Sequence, residues 1–234
     1  YKHDPPEWVR WAYDWGKGEL ERHAGPRLWQ SETLYETGAH LQNEATRFQP
    51  LRIAVASGHG IGKSATIGMV VNWAMSTMKD TRIVITANTE NQLRTKTWPE
   101  VSKWSKLSST SHLWQVPAMS IYSSDPGAEK SWRGDAIPWS ENNTEAFAGL
   151  HNEGKRIVLV FDEGSKIADK VWEVAEGALT DTNTEIIWLA FGNPTQNTGR
   201  FRECFAKQRH LWRTRHIDSR TVAGTNKEYL NALA

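Results

Sequence analysis

From Leu51 onward, apolar runs of strand length alternate with stretches whose apolar residues recur every three or four positions. The runs LRIAVA (51–56), RIVITA (82–87), RIVLVF (156–161) and IIWLAF (186–191) are apolar enough to be covered on both faces, as strands of a parallel sheet are. Between the first two, Ile67, Val70, Val71, Ala74 and Met78 fall at helical spacing. Further helices are predicted over 90–107 and 171–179, with Pro99 expected to kink or split the first. The alternation predicts an α/β fold with a mainly parallel central sheet flanked by helices. The first fifty residues are Trp-rich and broken by DPPE and GP, with one helix predicted over 31–42, where Leu34, Gly38 and Leu41 share a side. Residues 108–150, rich in Ser, Pro, Gly and Asn, read as an insertion of loops and short strands. There is no internal repeat and no low-complexity segment.

A length of 234 residues favours one α/β domain with a substantial core. The chain begins at Tyr1 rather than at a methionine, so we expect a segment of a longer or processed protein. The lone Cys204 excludes an internal disulfide, and no stretch approaches the roughly 20 apolar residues of a membrane span, which points to a cytoplasmic setting without a membrane partner. A net charge of +1 makes the whole molecule no electrostatic glove for nucleic acid. Local basic sets exist at 200–216 and at Arg94, Lys96, Lys103 and Lys106, for which a solvated face is the plain alternative. The 13 tryptophans are expected to fill cores rather than to build a base-stacking platform.

The stretch SGHGIGKS (57–64) directly follows the first strand and precedes the first core helix. Glycines 58, 60 and 62 let the backbone fold into a nest of inward N–H groups, and the helix adds its positive end, so a phosphate chain is the natural guest. Lys63 would reach the β- and γ-phosphates and the Ser64 hydroxyl would bind Mg²⁺. The spacing G-x-x-x-x-G-K-[ST] is met except that Ser57 stands at its first glycine. A glycine-rich turn with a solvated lysine is the alternative.

RIVLVF ends in Asp162 and Glu163, at the carboxyl edge of a buried strand, where open α/β sheets bind ligands. Asp162 would hold Mg²⁺ and Glu163, pointing elsewhere along extended backbone, would direct or deprotonate a water. Acids at a helix N-terminus are the other reading. After IIWLAF, the segment GNPTQNTGRF brings Gly192, Asn193, Pro194 and Thr195 to the same edge, either as contacts to a γ-phosphate or as a plain Asn-Pro turn.

Taken in order, these pieces resemble the ATPase domain of the large terminase subunit of tailed bacteriophages. GPRLWQ (25–30) resembles the adenine-side motif, with Gln30 as its glutamine; SGHGIGKS is similar to the phosphate loop, VITANTENQLRTKTWPEV to the segment after the second strand, VFDEGSKI to the Mg²⁺ and catalytic-glutamate strand, and FGNPTQNTGRF to the coupling motif. The resemblance implies a P-loop NTPase of the ASCE, RecA/helicase-like class. It implies Mg²⁺-dependent ATP hydrolysis that moves double-stranded DNA into a procapsid, in the cytoplasm of an infected bacterial host. The ATP-binding set is then Gln30 with Ser57, Gly58, His59, Gly60, Ile61, Gly62, Lys63, Ser64 and Ala65. Glu163 and Lys63 act in catalysis, Ser64 and Asp162 hold the metal, and 192–195 couple phosphate loss to DNA.

Implied partners are duplex DNA, a portal protein, a small terminase subunit and further copies in a ring on the portal, with a monomer in isolation. Some members of the family carry an arginine inside the phosphate loop. This loop has none, so we expect one from a neighbouring subunit, with Arg133 (KSWRGD) or Arg156 as the source. Residues 1–205 are expected to form the ATPase domain, 1–50 as an N-terminal helical segment and 51–205 as the core. Residues 206–234 would lead toward an absent nuclease domain, so no nuclease activity is expected of this chain. The rivals are a helicase-like nucleic-acid-dependent ATPase, which would need a second motor domain, and a nucleotide-operated switch, which has no need of Glu163. A phosphotransferase is less favoured, since no acceptor site is apparent.

Overall fold

A computed structural model describes residues 1–139 and 150–232. Eight strands form one sheet in the order β3-β4-β5-β2-β6-β7-β1-β8. The strands are β1 (Leu51–Ser57), β2 (Arg82–Thr86), β3 (Trp114–Gln115), β4 (Ser120–Ser123), β5 (Arg133–Ala136), β6 (Arg156–Phe161), β7 (Glu185–Gly192) and β8 (Arg213–Ile217). All pairings from β5 across to β8 are parallel, while β3-β4 and β4-β5 are antiparallel. The four predicted strands are thus β1, β2, β6 and β7. The short strands β3 to β5 lie in the stretch that reads as an insertion, of which 140–149 fall outside the described residues.

Continuous apolar runs imply cover on both faces, and the two cores show it. Ile53 and Val55 of β1, Val158 and Val160 of β6, and Ile187, Leu189 and Phe191 of β7 enter one core. Their alternates Ala54 and Ala56, Ile157, Leu159 and Phe161, and Ile186, Trp188 and Ala190 enter the other, as the period-2 alternation of a strand requires. Helices α1 (Pro5–Ala12), α2 (Leu28–Gln42), α3 (Lys63–Thr77) and α5 (Trp98–Leu107) supply the first core, and α6 (Asp169–Ala178) the second. Nine tryptophans are buried, among them Trp8, Trp73, Trp172 and Trp188, whereas Trp11 is exposed and stacks on Tyr1. They fill the core, as expected. Gly68 of α3 lies under Trp104 of α5, and a Cβ there would come within 2.8 Å of the indole, so glycine sets the distance between these helices.

Three local features bear on these readings. DPPE does not break the chain but starts α1: Asp4 caps it by accepting from the Glu7 N–H, and Pro5 and Pro6 occupy first-turn positions where a missing N–H costs nothing. The helix predicted over 90–107 is split by Pro99 into α4 (Glu90–Gln92), a π-helical turn Leu93–Thr97 and α5, with the proline in the first turn of α5. The sheet and its core continue past residue 205, since β8 pairs with β1 and Trp212 and Val222 are core residues. A helix α7 (Arg200–Glu203) precedes β8, and α8 (Lys227–Ala232) follows it. Among the described residues no helix is long and apolar enough to cross a membrane.

Candidate active site

The phosphate loop leaves β1 at Ser57 and enters α3 at Lys63. Gly60 (φ 75°) and Gly62 (φ 90°) lie in the left-handed region, which a side chain would strain. A Cβ on Gly58 would collide with Ser219 Oγ at 2.4 Å. The loop carbonyls are held from behind by three side chains of the GPRLWQ segment. Arg27 Nη1 donates to Gly60 O at 2.8 Å, Trp29 Nε1 to Ile61 O at 3.0 Å and Gln30 Nε2 to Gly62 O at 3.0 Å. Pinning three successive carbonyls outward fixes the peptide planes of a nest before any anion arrives.

Lys63 Nζ donates to Ser57 Oγ, Gly58 O and Asn193 Oδ1, the last at 2.7 Å. Burial lowers its pKa, while the nearby Glu163 and Asp162 charges work the other way. Asp162 is buried at the end of β6; its Oδ2 accepts from Thr97 Oγ1 and its Oδ1 from the Glu163 N–H. Burial raises its pKa, against the hydrogen bond from Thr97. Glu163 has φ 55°, a rare conformation for a residue with a side chain. Residues 59–65 of the loop, Asp162 and Glu163 share one cleft of roughly 370 Å³, closed on the other side by Gln92, Lys96 and Glu100. Strand β7 lies between the loop strand and the acidic strand.

No family model matches the chain. It is 25% identical over 214 residues to a probable large terminase subunit of Enterobacteria phage P7, covering 84% of this chain and 39% of that protein. This chain therefore spans about two fifths of that curated relative. The large terminase of bacteriophage HK97 superposes with a TM-score of 0.61 at 13% identity, covering 97% of this chain and 46% of that one. The large terminase of a thermophilic bacteriophage gives 0.58 at 15% identity, covering 83% and 48%. In complex with ADP, the same thermophilic phage protein gives 0.52 at 16% identity, covering 71% and 39%. The fold is that of a large-terminase ATPase domain. It is a P-loop NTPase fold, and the resemblance drawn from ordered motifs holds for sequence and structure alike.

Within this terminase fold the predicted site residues fall into groups. The loop residues, Asp162 and Glu163 are brought together. Asn193 joins them through Lys63, and its Nδ2 lies 2.9 Å from His59 Nε2, so both ends of this buried amide are used. Gly192 packs so closely on Phe201 that a Cβ would lie 2.9 Å from the ring. Pro194 and Thr195 face solvent. Gln30 is buried, with Oε1 accepting from the Arg27 N–H and Nε2 donating also to Thr66 Oγ1. For Gln30 to read a base, one of these bonds must exchange.

The arginines stand elsewhere. Arg156 is fully buried at the amino end of β6, bonded to Glu185, Thr77 and the Lys2 carbonyl, and lies against the Trp73 ring. It cannot reach a neighbouring subunit, which corrects that expectation. Arg133 sits at the amino end of β5, on the sheet edge away from the loop, engaged with both carboxylate oxygens of Asp135. The sequence reading missed Arg27 and Trp29 as loop holders, Thr97 as the partner of Asp162, and Ser219, which donates to His59 O. Position within GPRLWQ was the available signal for the first two.

Replacing Trp29 by Phe removes the bond to Ile61 O and keeps most of the apolar contact. One lost hydrogen bond of about 1 kcal/mol is expected to weaken ATP binding about fivefold. Titration calorimetry checks this; unchanged affinity would mean that the loop holds its shape without the indole.

Proposed function

We propose that this chain hydrolyses ATP as the motor domain of a large terminase, moving double-stranded DNA into a viral procapsid. The observation that carries the reading is the single cleft that joins the glycine loop, Lys63 and the Asp162–Glu163 pair. Phosphates fit the loop N–H groups and the amino end of α3. Lys63 would exchange its three internal acceptors for phosphate oxygens, releasing Asn193, and so report nucleotide to the turn after β7. Glu163 would orient a water and take its proton as the water oxygen bonds to the γ-phosphorus. The bridging bond then breaks and its electron pair leaves on ADP.

Ser64 and Asp162 fit Mg²⁺: a buried carboxylate disfavoured by its surroundings faces the same cleft as the hydroxyl. Mg²⁺ takes one or two carboxylates plus phosphate oxygens rather than an all-protein cage. When bound, it would neutralise charge on the β- and γ-phosphates. Nucleotide complexes are known for the thermophilic phage terminase, with ADP and with ATP-γ-S. A portal protein, a small terminase subunit and a ring of copies are the partners this reading brings, in an infected bacterial cell.

The test is phosphate release from ATP by this chain, alone and with linear duplex or single-stranded DNA. We expect turnover that duplex DNA raises. Preference for single strands would favour the helicase reading, and nucleotide binding without turnover the switch.

A further inference from the structure

The proposed reaction needs positive charge opposite the γ-phosphate, and the phosphate loop carries no arginine. The geometry points to Lys96 as that cation, supplied within the same chain; this rests on the ATP reading of the cleft. Lys96 lines the cleft with Ser64, Asp162 and Glu163, on the wall facing the loop. It lies in the π-helical turn Leu93–Thr97, a widened turn of the kind that recurs at functional sites. The next residue, Thr97, is fully buried and donates its hydroxyl to Asp162. The backbone that carries Lys96 is thus tied to the acidic strand by its neighbour.

The other cations near the cleft have other partners. Lys63 bonds Ser57, Gly58 and Asn193 and is assigned above to the phosphates that the loop holds. Arg94, in the same turn, pairs with Glu90. Glu100 on the same wall accepts from Trp104 Nε1 at 3.2 Å. Among the described residues Lys96 makes no ion pair or hydrogen bond, so its ammonium is available to an incoming anion. A lysine is a compact point charge on a flexible stem, suited to follow charge that shifts among equatorial oxygens. As the β,γ bridging bond breaks and the water oxygen bonds to phosphorus, Lys96 would stabilise the equatorial oxygens while Glu163 holds the proton.

The experiment compares the wild-type chain with Lys96→Met and Lys96→Arg, both at an exposed position, with thermal unfolding of each variant as the check that it folds. Steady-state hydrolysis, ADP affinity and the release rate of ADP trapped with aluminium fluoride are measured with Mg²⁺ present. Lys96→Met is expected to lower kcat on the order of 10²-fold, the cost of one lost electrostatic contact in a transition state. ADP affinity should stay within about twofold, and the ADP–aluminium fluoride complex should release about tenfold faster. Lys96→Arg should recover most of kcat.

The inference is overturned if Lys96→Met keeps wild-type kcat, or if arginine fails to restore it. It is overturned equally if ADP and its aluminium fluoride complex weaken alike, or if only stimulation by DNA is lost, which would place Lys96 on a DNA-facing surface. A wild-type chain that binds no nucleotide fails the ATP reading itself and Lys96 with it. A wild-type chain that turns over ATP while Lys96→Met matches it fails Lys96 alone.

Discussion

Glu163→Gln is expected to bind ATP as the wild type does and to hydrolyse it at least about 10²-fold more slowly, the scale of a lost general base. The argument is geometric. Glu163 lines the cleft beside Asp162 at a left-handed backbone position, and among the described residues its carboxylate accepts no hydrogen bond. The nearest cation, Lys166, stands 4.0 Å away and is half exposed, a weak hold that leaves the carboxylate free to accept from a water. Lys63→Ala should behave oppositely and lose ATP affinity, since its ammonium is the charge that the loop presents to phosphate. Fluorescent-nucleotide titration and phosphate release on the two variants separate the roles. Turnover of Glu163→Gln within a few-fold of wild type would falsify the catalytic assignment.

Arg156→Ala is expected to cost about 3–5 kcal/mol of folding stability, a large share of a typical domain's total, because it strands a buried carboxylate. The side chains of Arg156 and Glu185 are 0% and 3% exposed and meet at 2.7 Å. Burial lowers the Arg156 pKa, and the Glu185 carboxylate works against that. Burial likewise opposes ionisation of Glu185, but the Arg156 charge and bonds from His3 and Arg156 outweigh it, so its carboxyl sits below the usual range. A carboxyl depressed on folding contributes stability that is present above its unfolded pKa, about 4.3, and is lost as pH falls through the folded value. Chemical denaturation between neutral pH and about pH 3 should therefore show the gap between wild type and Arg156→Ala narrowing at the acid end. In a double-mutant cycle, Arg156→Met with Glu185→Leu should lose less than the two single changes added. A purely additive result, or a gap that widens in acid, would mean that the pair is not coupled.

Arg156 also shows where sequence reading stops. As the first letter of RIVLVF it is a cation on the acidic strand. In the fold it lies at the other end of that strand, about six residues and some 20 Å of extended chain from Asp162, by the rise of a strand. Lys96 is the converse, one of a set of basic letters that became a wall of the cleft only when the turn before α5 settled against β6. In the same way RTRHI carries no strand signal, since β8 is an edge strand. Salt bridges of Arg213 and Arg215 to Glu32 and Glu36 of α2 hold it where an apolar period would hold an inner strand.

Features with local causes were legible in the chain. Both-face apolar runs could only be inner strands, and Gly60 and Gly62 could take the positive φ that shapes the loop. Strand order was settled only in three dimensions. It placed β7 between the loop and the acids and brought Lys63 to Asn193, 130 residues further along the chain. The clasp of Arg27, Trp29 and Gln30 on the loop spans 32 or 33 residues and depends on how α2 crosses the sheet. Such contacts carry no period or spacing in the chain, because they are fixed by which surfaces bury one another rather than by the conformational demands of neighbouring residues.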